Sequence, residues 1–290
     1  MAATFTPEMP LVTAQWLKSH IGAPDVRVLD ATYASTFKPG VAQTGRLAYD
    51  AHHIPGARFF DIDLIADLGS PYPHMMPPPE QFASRVRRLG LGDGHRIVCY
   101  DQNAYLASAR AWWMFRAMGH GDVAVLDGGF AAWKAAGGPV EDLPPTASAD
   151  RHFTARFRGG LVRNLDQMKQ AQSTGALQIV DARAAARFRG EVDEPRAGLA
   201  RGHIPGALNV PYTTLLQEDG RFKSPEAIAA IFGNAGVNLA KPIVNTCGSG
   251  VTAAILALAE AIAGNEMAAV YDASWCEWGA PDTGAPIATA

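Results

Sequence analysis

Short runs of β-branched and aliphatic residues alternate along the chain with segments of helical periodicity. Each run ends at an acidic residue or a turn, and together they predict strands at residues 26–30, 96–100, 123–126, 177–181, 242–246 and 268–271. Helices are predicted at residues 80–89, at residues 225–232 and in the apolar run after Gly250. Strands that alternate with helices are typical of βαβ units. The pattern therefore predicts an α/β fold of parallel sheets flanked by helices.

The same pattern occurs twice. The motif His-Ile-Pro-Gly-Ala at residues 53–57 recurs at residues 203–207. Four matched segments follow the same order in both halves: 26–31 with 177–182, 53–57 with 203–207, 79–80 with 225–226, and 127–133 with 272–278. Such order is expected from a tandem duplication of a domain of about 130 residues.

The duplication predicts a first domain at residues 1–145 and a second at residues 160–290. Turn-forming residues, including Gly137-Gly138-Pro139 and Pro144-Pro145, predict a linker at about residues 140–160. A chain of 290 residues is long enough for two domains with separate cores.

Composition narrows the range of partners. The chain has 48% hydrophobic residues and a net charge of −3, without the Lys/Arg stripe that nucleic acid binding needs. The longest apolar stretch, residues 253–263, is shorter than the roughly 20 residues that span a bilayer. We therefore expect neither a nucleic acid partner nor a membrane partner. The first ten residues lack the features of a secretory signal, so a cytoplasmic location is expected.

One cysteine stands where a parallel sheet places its ligands. Cys247 directly follows a predicted strand, and a glycine-rich loop and a predicted helix come after it. Glycines let such a loop turn several N–H groups toward one point, and a helix N-terminus stabilises a thiolate. The pattern predicts that Cys247 is a nucleophile. Cys99 and Cys276 are expected to be structural, and the spacing of the three cysteines fits no structural metal site.

The first copy differs at this position. Asp101 follows the strand 96–100 and aligns with Cys247. A carboxylate cannot carry sulfur, so the first domain is predicted to be non-catalytic and the second catalytic.

These features resemble the tandem rhodanese-domain sulfurtransferases: two copies with His-Ile-Pro-Gly-Ala, Asp101 in the first and Cys-Gly-Ser-Gly-Val-Thr-Ala in the second. The resemblance implies two rhodanese-like domains. In that family Arg and Lys after the cysteine are typical of thiosulfate donors, whereas Gly and Ser are typical of 3-mercaptopyruvate donors. Gly248 and Ser249 occupy those positions here.

The resemblance also implies a reaction. Sulfane sulfur would pass from 3-mercaptopyruvate to a thiol acceptor such as thioredoxin, or to cyanide, through a Cys247 persulfide, with release of pyruvate. Backbone N–H groups of residues 248–252, which include Gly248, Gly250, Val251 and Thr252, would stabilise the sulfur anion. No metal or organic cofactor is implied.

Further site residues are carried over by the resemblance. Arg187 and Arg196 match positions that bind the substrate carboxylate and keto oxygen, a task that suits guanidinium groups. Asp63, His74 and Ser249 match a proposed Ser-His-Asp proton relay.

Three other functions would each fit part of the sequence. A thiosulfate:cyanide sulfurtransferase would use the same nucleophile, but the uncharged loop disfavours a doubly charged donor. A non-enzymatic binding module fits the first copy alone. A cysteine phosphatase needs an Arg six residues after the cysteine to bind phosphate, and Ala253 stands there.

Overall fold

The computed structural model describes residues 10–33, 44–103, 105–145 and 151–289. The first nine residues, which bear on the expected location, and residues 146–150 of the predicted linker lie outside this set. The chain forms two compact units. The first comprises the chain up to Leu68, Met76–Arg158 and Glu218–Arg221, and the second comprises Gly69–Met75, Gly159–Gln217 and the chain from Phe222 onward. The predicted domain boundaries, which cut the chain once, stay a prediction.

The first unit contains a five-stranded sheet in the order β1-β5-β4-β2-β3, in which all paired strands are parallel. Its strands are β1 (Leu11–Val12), β2 (Val26–Asp30), β3 (Arg58–Phe59), β4 (Arg96–Tyr100) and β5 (Val123–Leu126). Its helices are α1 (Ala14–His20), α2 (Thr44–Ala51), α3 (Ile62–Ile65), α4 (Pro79–Arg88), α5 (Ser108–Ala117) and α6 (Gly129–Ala135).

The second unit repeats this topology in a parallel sheet of order β6-β10-β9-β7-β8. Its strands are β6 (Val162–Arg163), β7 (Gln178–Asp181), β8 (Leu208–Asn209), β9 (Ile243–Thr246) and β10 (Ala269–Tyr271). Its helices are α7 (Leu165–Thr174), α8 (Ala185–Phe188), α9 (Pro225–Asn234), α10 (Ala253–Ile262) and α11 (Trp275–Trp278). Short 3₁₀ turns lie at Gly159–Leu161, Tyr212–Leu215 and Pro281–Thr283.

The predicted fold class is confirmed. The three strands predicted in the first unit have the predicted bounds, and each of the three in the second unit begins one residue later than predicted. Every residue of β5, β9 and β10 is buried, as expected for a parallel sheet covered on both faces. Ser224 caps α9 through a hydrogen bond from the Ala227 N–H (3.3 Å), as its position before Pro225 predicts.

The repeated motif histidines make the same contact in both units. His53 Nδ1 lies 2.8 Å from the Tyr49 carbonyl oxygen, and His203 Nδ1 lies 2.8 Å from that of Phe188. Each imidazole also stacks on the ring of that same residue. Both histidines therefore tie a helix to the loop that precedes a short strand, which is a structural task.

Among the helices that the structure describes, none is long and apolar enough to cross a membrane.

Candidate active site

Cys247 lies at the carboxyl end of the second sheet. It directly follows β9, and α10 begins six residues later, at Ala253. The turn between them is made possible by Gly250, whose φ of 76° lies in the left-handed region that favours glycine. The Cys247 side chain is buried at the base of this loop.

Three hydrogen bonds join the start of the loop to the segment that follows β10. The Cys247 N–H donates to Ser274 Oγ (3.1 Å), the Trp275 N–H donates to the Cys247 carbonyl oxygen (3.0 Å), and the Cys276 N–H donates to that of Gly248 (2.9 Å). Within the described part of the chain, the N–H groups of Ser249, Val251 and Thr252 have no hydrogen-bond acceptor. These groups are available to an anion at the loop.

The first unit shows what a loop of this kind binds. Asp101 follows β4, and the Phe130 N–H donates to its carbonyl oxygen at 3.0 Å, just as the Trp275 N–H does to Cys247. The buried Asp101 carboxylate accepts hydrogen bonds from four backbone N–H groups, those of Asn103 (3.2 Å), Tyr105 (2.9 Å), Ala107 (3.2 Å) and Ser108 (2.9 Å). The loop of the first unit is therefore an anion site that contains its own anion. In the second unit the anion at that position would be the sulfur of Cys247.

A chain of buried ion pairs leads from the second sheet to the cysteine loop. Arg183 donates through Nη2 to Asp181 (2.6 Å), at the end of β7, and through Nη1 to Glu194 (2.8 Å). The Glu194 carboxylate also accepts hydrogen bonds from Nε (3.2 Å) and Nη2 of Arg187, which lies on α8. The Arg183 guanidinium lies 4.3 Å from the ring centre of Trp275. The network holds two guanidinium groups on one carboxylate, a geometry that favours charge-assisted hydrogen bonds.

Both halves of the chain match one known protein family. A family model described as rhodanese-like domain matches residues 13–136 and 164–281. This chain belongs to the rhodanese family. It carries two rhodanese domains, as the duplicated motifs predict.

The chain is similar to enzymes that are named for two different sulfur donors, 3-mercaptopyruvate and thiosulfate. It is 44% identical to the 3-mercaptopyruvate sulfurtransferase of Escherichia coli strain K12, over 93% of this chain and 94% of that protein. It is 42% identical to the thiosulfate sulfurtransferase of Gallus gallus, over 92% of both. The crystal structure of SseA from Escherichia coli, a 3-mercaptopyruvate sulfotransferase, superposes with a TM-score of 0.83 at 40% identity, over 92% of this chain and 99% of that chain.

Arg187 lies beside the glycine that follows Cys247 in this rhodanese domain. A Cβ atom added at Gly248 would lie 3.2 Å from Arg187 Nη2, closer than ordinary van der Waals contact. The same Nη2, together with Nε, donates to the Glu194 carboxylate, which holds the guanidinium in this position. Helix α8 thus places a cation where a side chain at position 248 would otherwise stand.

The remaining predicted site residues are placed as follows. Ser249 is buried in the cysteine loop. Arg196 lies near Cys276: burial raises the pKa of the Cys276 thiol, and the positive charge of Arg196 acts in the opposite direction. His74 is buried and belongs to the second unit through the segment Gly69–Met75, whose Tyr72 and Met75 pack against that unit's core. Asp63 lies on α3 in the first unit. The relay of Asp63, His74 and Ser249 stays a prediction.

The other two cysteines, Cys99 and Cys276, are buried as well. Burial raises the pKa of Cys276 to about 11, and it raises the pKa of Cys99 well above its usual range. Both groups are therefore neutral thiols at physiological pH. Only the thiolate is a strong nucleophile, which agrees with the expectation that Cys99 and Cys276 are structural.

Proposed function

We propose that this rhodanese transfers sulfane sulfur from 3-mercaptopyruvate to a thiol or to cyanide through a Cys247 persulfide. The observation that carries the proposal is the cysteine loop. Within the described residues the N–H groups of Ser249, Val251 and Thr252 have no hydrogen-bond acceptor, and Arg187 Nη2 lies beside Gly248. Relatives named for either donor are about equally identical to the chain. The donor preference therefore rests on Gly248, Ser249 and the cation on α8.

In the first step, the Cys247 thiolate attacks the sulfur atom of 3-mercaptopyruvate. An S–S bond forms and the carbon–sulfur bond breaks, with its electron pair passing to carbon to give the pyruvate enolate. The enolate takes up a proton and leaves as pyruvate, while the persulfide stays on Cys247. The N–H groups of residues 248–252 stabilise the persulfide anion, much as backbone N–H groups of the first unit bind the Asp101 carboxylate.

Arg187 and Arg196 bind the carboxylate and keto oxygen of the donor in this proposal. Arg187 uses Nε and Nη2 for Glu194, and within the described residues Nη1 donates to no acceptor. A guanidinium held along one edge presents its other edge in a fixed direction, which favours binding of a planar carboxylate. The Ser249 hydroxyl, with His74, moves the proton between the donor thiol and the enolate carbon.

In the second step, an acceptor thiolate or cyanide attacks the outer sulfur of the persulfide. The S–S bond breaks, the outer sulfur leaves on the acceptor, and the Cys247 thiolate is restored. Thioredoxin is the proposed protein acceptor, and small thiols or cyanide are the alternatives.

Donor preference tests the proposal. Pyruvate release from 3-mercaptopyruvate and thiocyanate formation from thiosulfate are measured with cyanide as the common acceptor. We expect kcat/KM to be at least about tenfold higher for 3-mercaptopyruvate, since thiosulfate needs a second cation in the loop. A preference for thiosulfate would show that the protein is a thiosulfate:cyanide sulfurtransferase. If neither donor is turned over, the hypothesis of a non-enzymatic binding module is favoured.

Glu194 offers a test of how the donor carboxylate is bound. Glu194→Gln removes the charge that holds Arg187 at the loop, so we expect KM for 3-mercaptopyruvate to rise about tenfold, with a smaller change in kcat. Glu191→Gln is the matched control, because Glu191 pairs with the exposed Arg189 (2.6 Å). The measurement is KM and kcat for 3-mercaptopyruvate in both variants. Equal KM values in the two variants would show that Glu194 does not set the position of Arg187.

A further inference from the structure

Ser274 adopts a backbone conformation that serine rarely takes. Its φ is 53° and its ψ is −142°, and within the described residues only His74 and Tyr105 are other non-glycine residues with positive φ. The residue is fully buried between β10 and α11. Such a conformation is unfavourable for a residue that has a Cβ atom, and it persists only where the surroundings impose it.

The first rhodanese domain has glycine at the matching position. Gly129 has a φ of 55° and precedes Phe130, as Ser274 precedes Trp275. A Cβ atom at Gly129 would lie 2.6 Å from the Asp101 carbonyl oxygen. This turn is therefore suited to glycine, yet the catalytic copy places a serine in it.

The serine hydroxyl makes a contact that glycine cannot make. Ser274 Oγ accepts a hydrogen bond from the Cys247 N–H (3.1 Å) and donates one to the Tyr271 carbonyl oxygen (2.8 Å). Since the second bond holds the hydroxyl to β10, the first fixes the peptide plane between Thr246 and Cys247. That plane sets the direction of the Cys247 side chain relative to the N–H groups of the loop.

We propose that Ser274 is a positioning residue for the nucleophile, whose hydroxyl fixes the Cys247 peptide so that the sulfur points at the N–H groups of the loop. Together with the Trp275 and Cys276 N–H groups, the hydroxyl completes a three-point support for the first two loop residues. The proposal rests on Cys247 as the nucleophile of the proposed function, and it does not depend on the identity of the donor.

Two substitutions separate positioning from folding. Ser274→Ala keeps the strained Cβ and loses the hydroxyl, whereas Ser274→Gly loses the hydroxyl and relieves the strain, as in Gly129. For both variants we expect kcat at least about tenfold lower, with KM for the donor changed by less than about twofold. We also expect the alkylation of Cys247 by iodoacetamide to reach half its maximal rate at a higher pH, because the thiolate is stabilised less well.

Ser108→Ala is the matched control. Ser108 is a buried serine at the start of α5 in the first domain, and within the described residues its hydroxyl has no hydrogen-bond partner. This variant should keep the wild-type kcat and the wild-type alkylation profile.

The melting temperature gives the second readout. Ser274→Gly is expected to be at least as stable as Ser274→Ala, because glycine accepts the positive φ. Its kcat is nevertheless expected to be as low as that of Ser274→Ala. Wild-type kcat and an unchanged alkylation profile in both variants would overturn the proposal and leave Ser274 a structural role. The alkylation profile remains decisive even if neither donor is turned over, so failure of the proposed function is distinguishable from failure of this inference.

Discussion

Replacement of Cys247 by serine should lower the rate of sulfur transfer at least about a thousandfold, as expected when a nucleophile is removed. A serine hydroxyl fits the space, but it is not ionised by the N–H groups of the loop and forms no persulfide. The measurement is pyruvate release from 3-mercaptopyruvate with a thiol acceptor. The same loss is expected with thiosulfate as donor, since both reactions use one nucleophile.

Cys276→Ala is the control for this prediction. Cys276 contacts the loop through its backbone N–H, which alanine keeps, and its thiol is neutral because burial raises its pKa to about 11. We expect its rate to stay within about threefold of the wild type. A large loss in Cys276→Ala with activity retained in Cys247→Ser would contradict the assignment of the nucleophile.

The second large effect concerns the dependence of stability on pH, and it starts from a buried pair in the second unit. Glu260 on α10 is fully buried, and its Oε2 accepts a hydrogen bond from Asn245 Nδ2 on β9 (2.7 Å). Glu260 Oε1 and Asn245 Oδ1 are both buried, and neither has a hydrogen-bond partner among the residues that the structure describes. A proton on Oε1 would satisfy both atoms at once, because the acid and the amide would then exchange two hydrogen bonds. Burial raises the pKa of Glu260 to about 8.

The sign of the pH effect follows from that direction. Between the ordinary glutamate pKa and about 8, the folded chain binds the Glu260 proton and the unfolded chain does not. The stability contributed by the neutral pair is thus present in full below the unfolded pKa. It is lost as the pH rises toward about 8, and the loss amounts to something on the order of 5 kcal/mol.

Glu260→Gln isolates this contribution, since glutamine is neutral at every pH and can exchange two hydrogen bonds with Asn245. The free energy of unfolding in urea is measured for both proteins from pH 5 to pH 9, a range set by these pKa values. We expect the wild type to lose stability relative to the variant as the pH rises. Parallel curves would show that the Glu260 carboxyl is not held neutral in the folded protein.

The sequence contains enough information to predict the central strands and to single out Cys247 as the candidate nucleophile. Long apolar runs that end in a turn mark the strands, and a glycine-rich loop after such a run marks Cys247. The two-residue edge strands β1, β3, β6 and β8 were not predicted, because two residues are too few for any periodicity to be visible.

Two residues of the site were also missed, for different reasons. Glu194 is one of several acidic residues in a charged stretch, and only folding shows that it joins Arg183 to Arg187. Ser274 did leave a signal: the repeat aligns it with Gly129, and a serine in place of a glycine before a shared aromatic position indicates a backbone held in an unusual conformation. Asp101 was predicted to replace the nucleophile, but its four backbone donors depend on a loop geometry that spacing does not reveal.

The mass of the protein after one incubation with the sulfur donor is the best test of the Cys247 persulfide. The wild-type protein is incubated with 3-mercaptopyruvate in the absence of an acceptor. The masses of the intact protein and of its proteolytic peptides are then measured by mass spectrometry. We predict the gain of one sulfur atom on the peptide that contains Cys247, release of an equal amount of pyruvate, and removal of the added sulfur by cyanide as thiocyanate. Sulfur added at Cys99 or Cys276 instead, or pyruvate released with no sulfur retained on the protein, would contradict the persulfide mechanism.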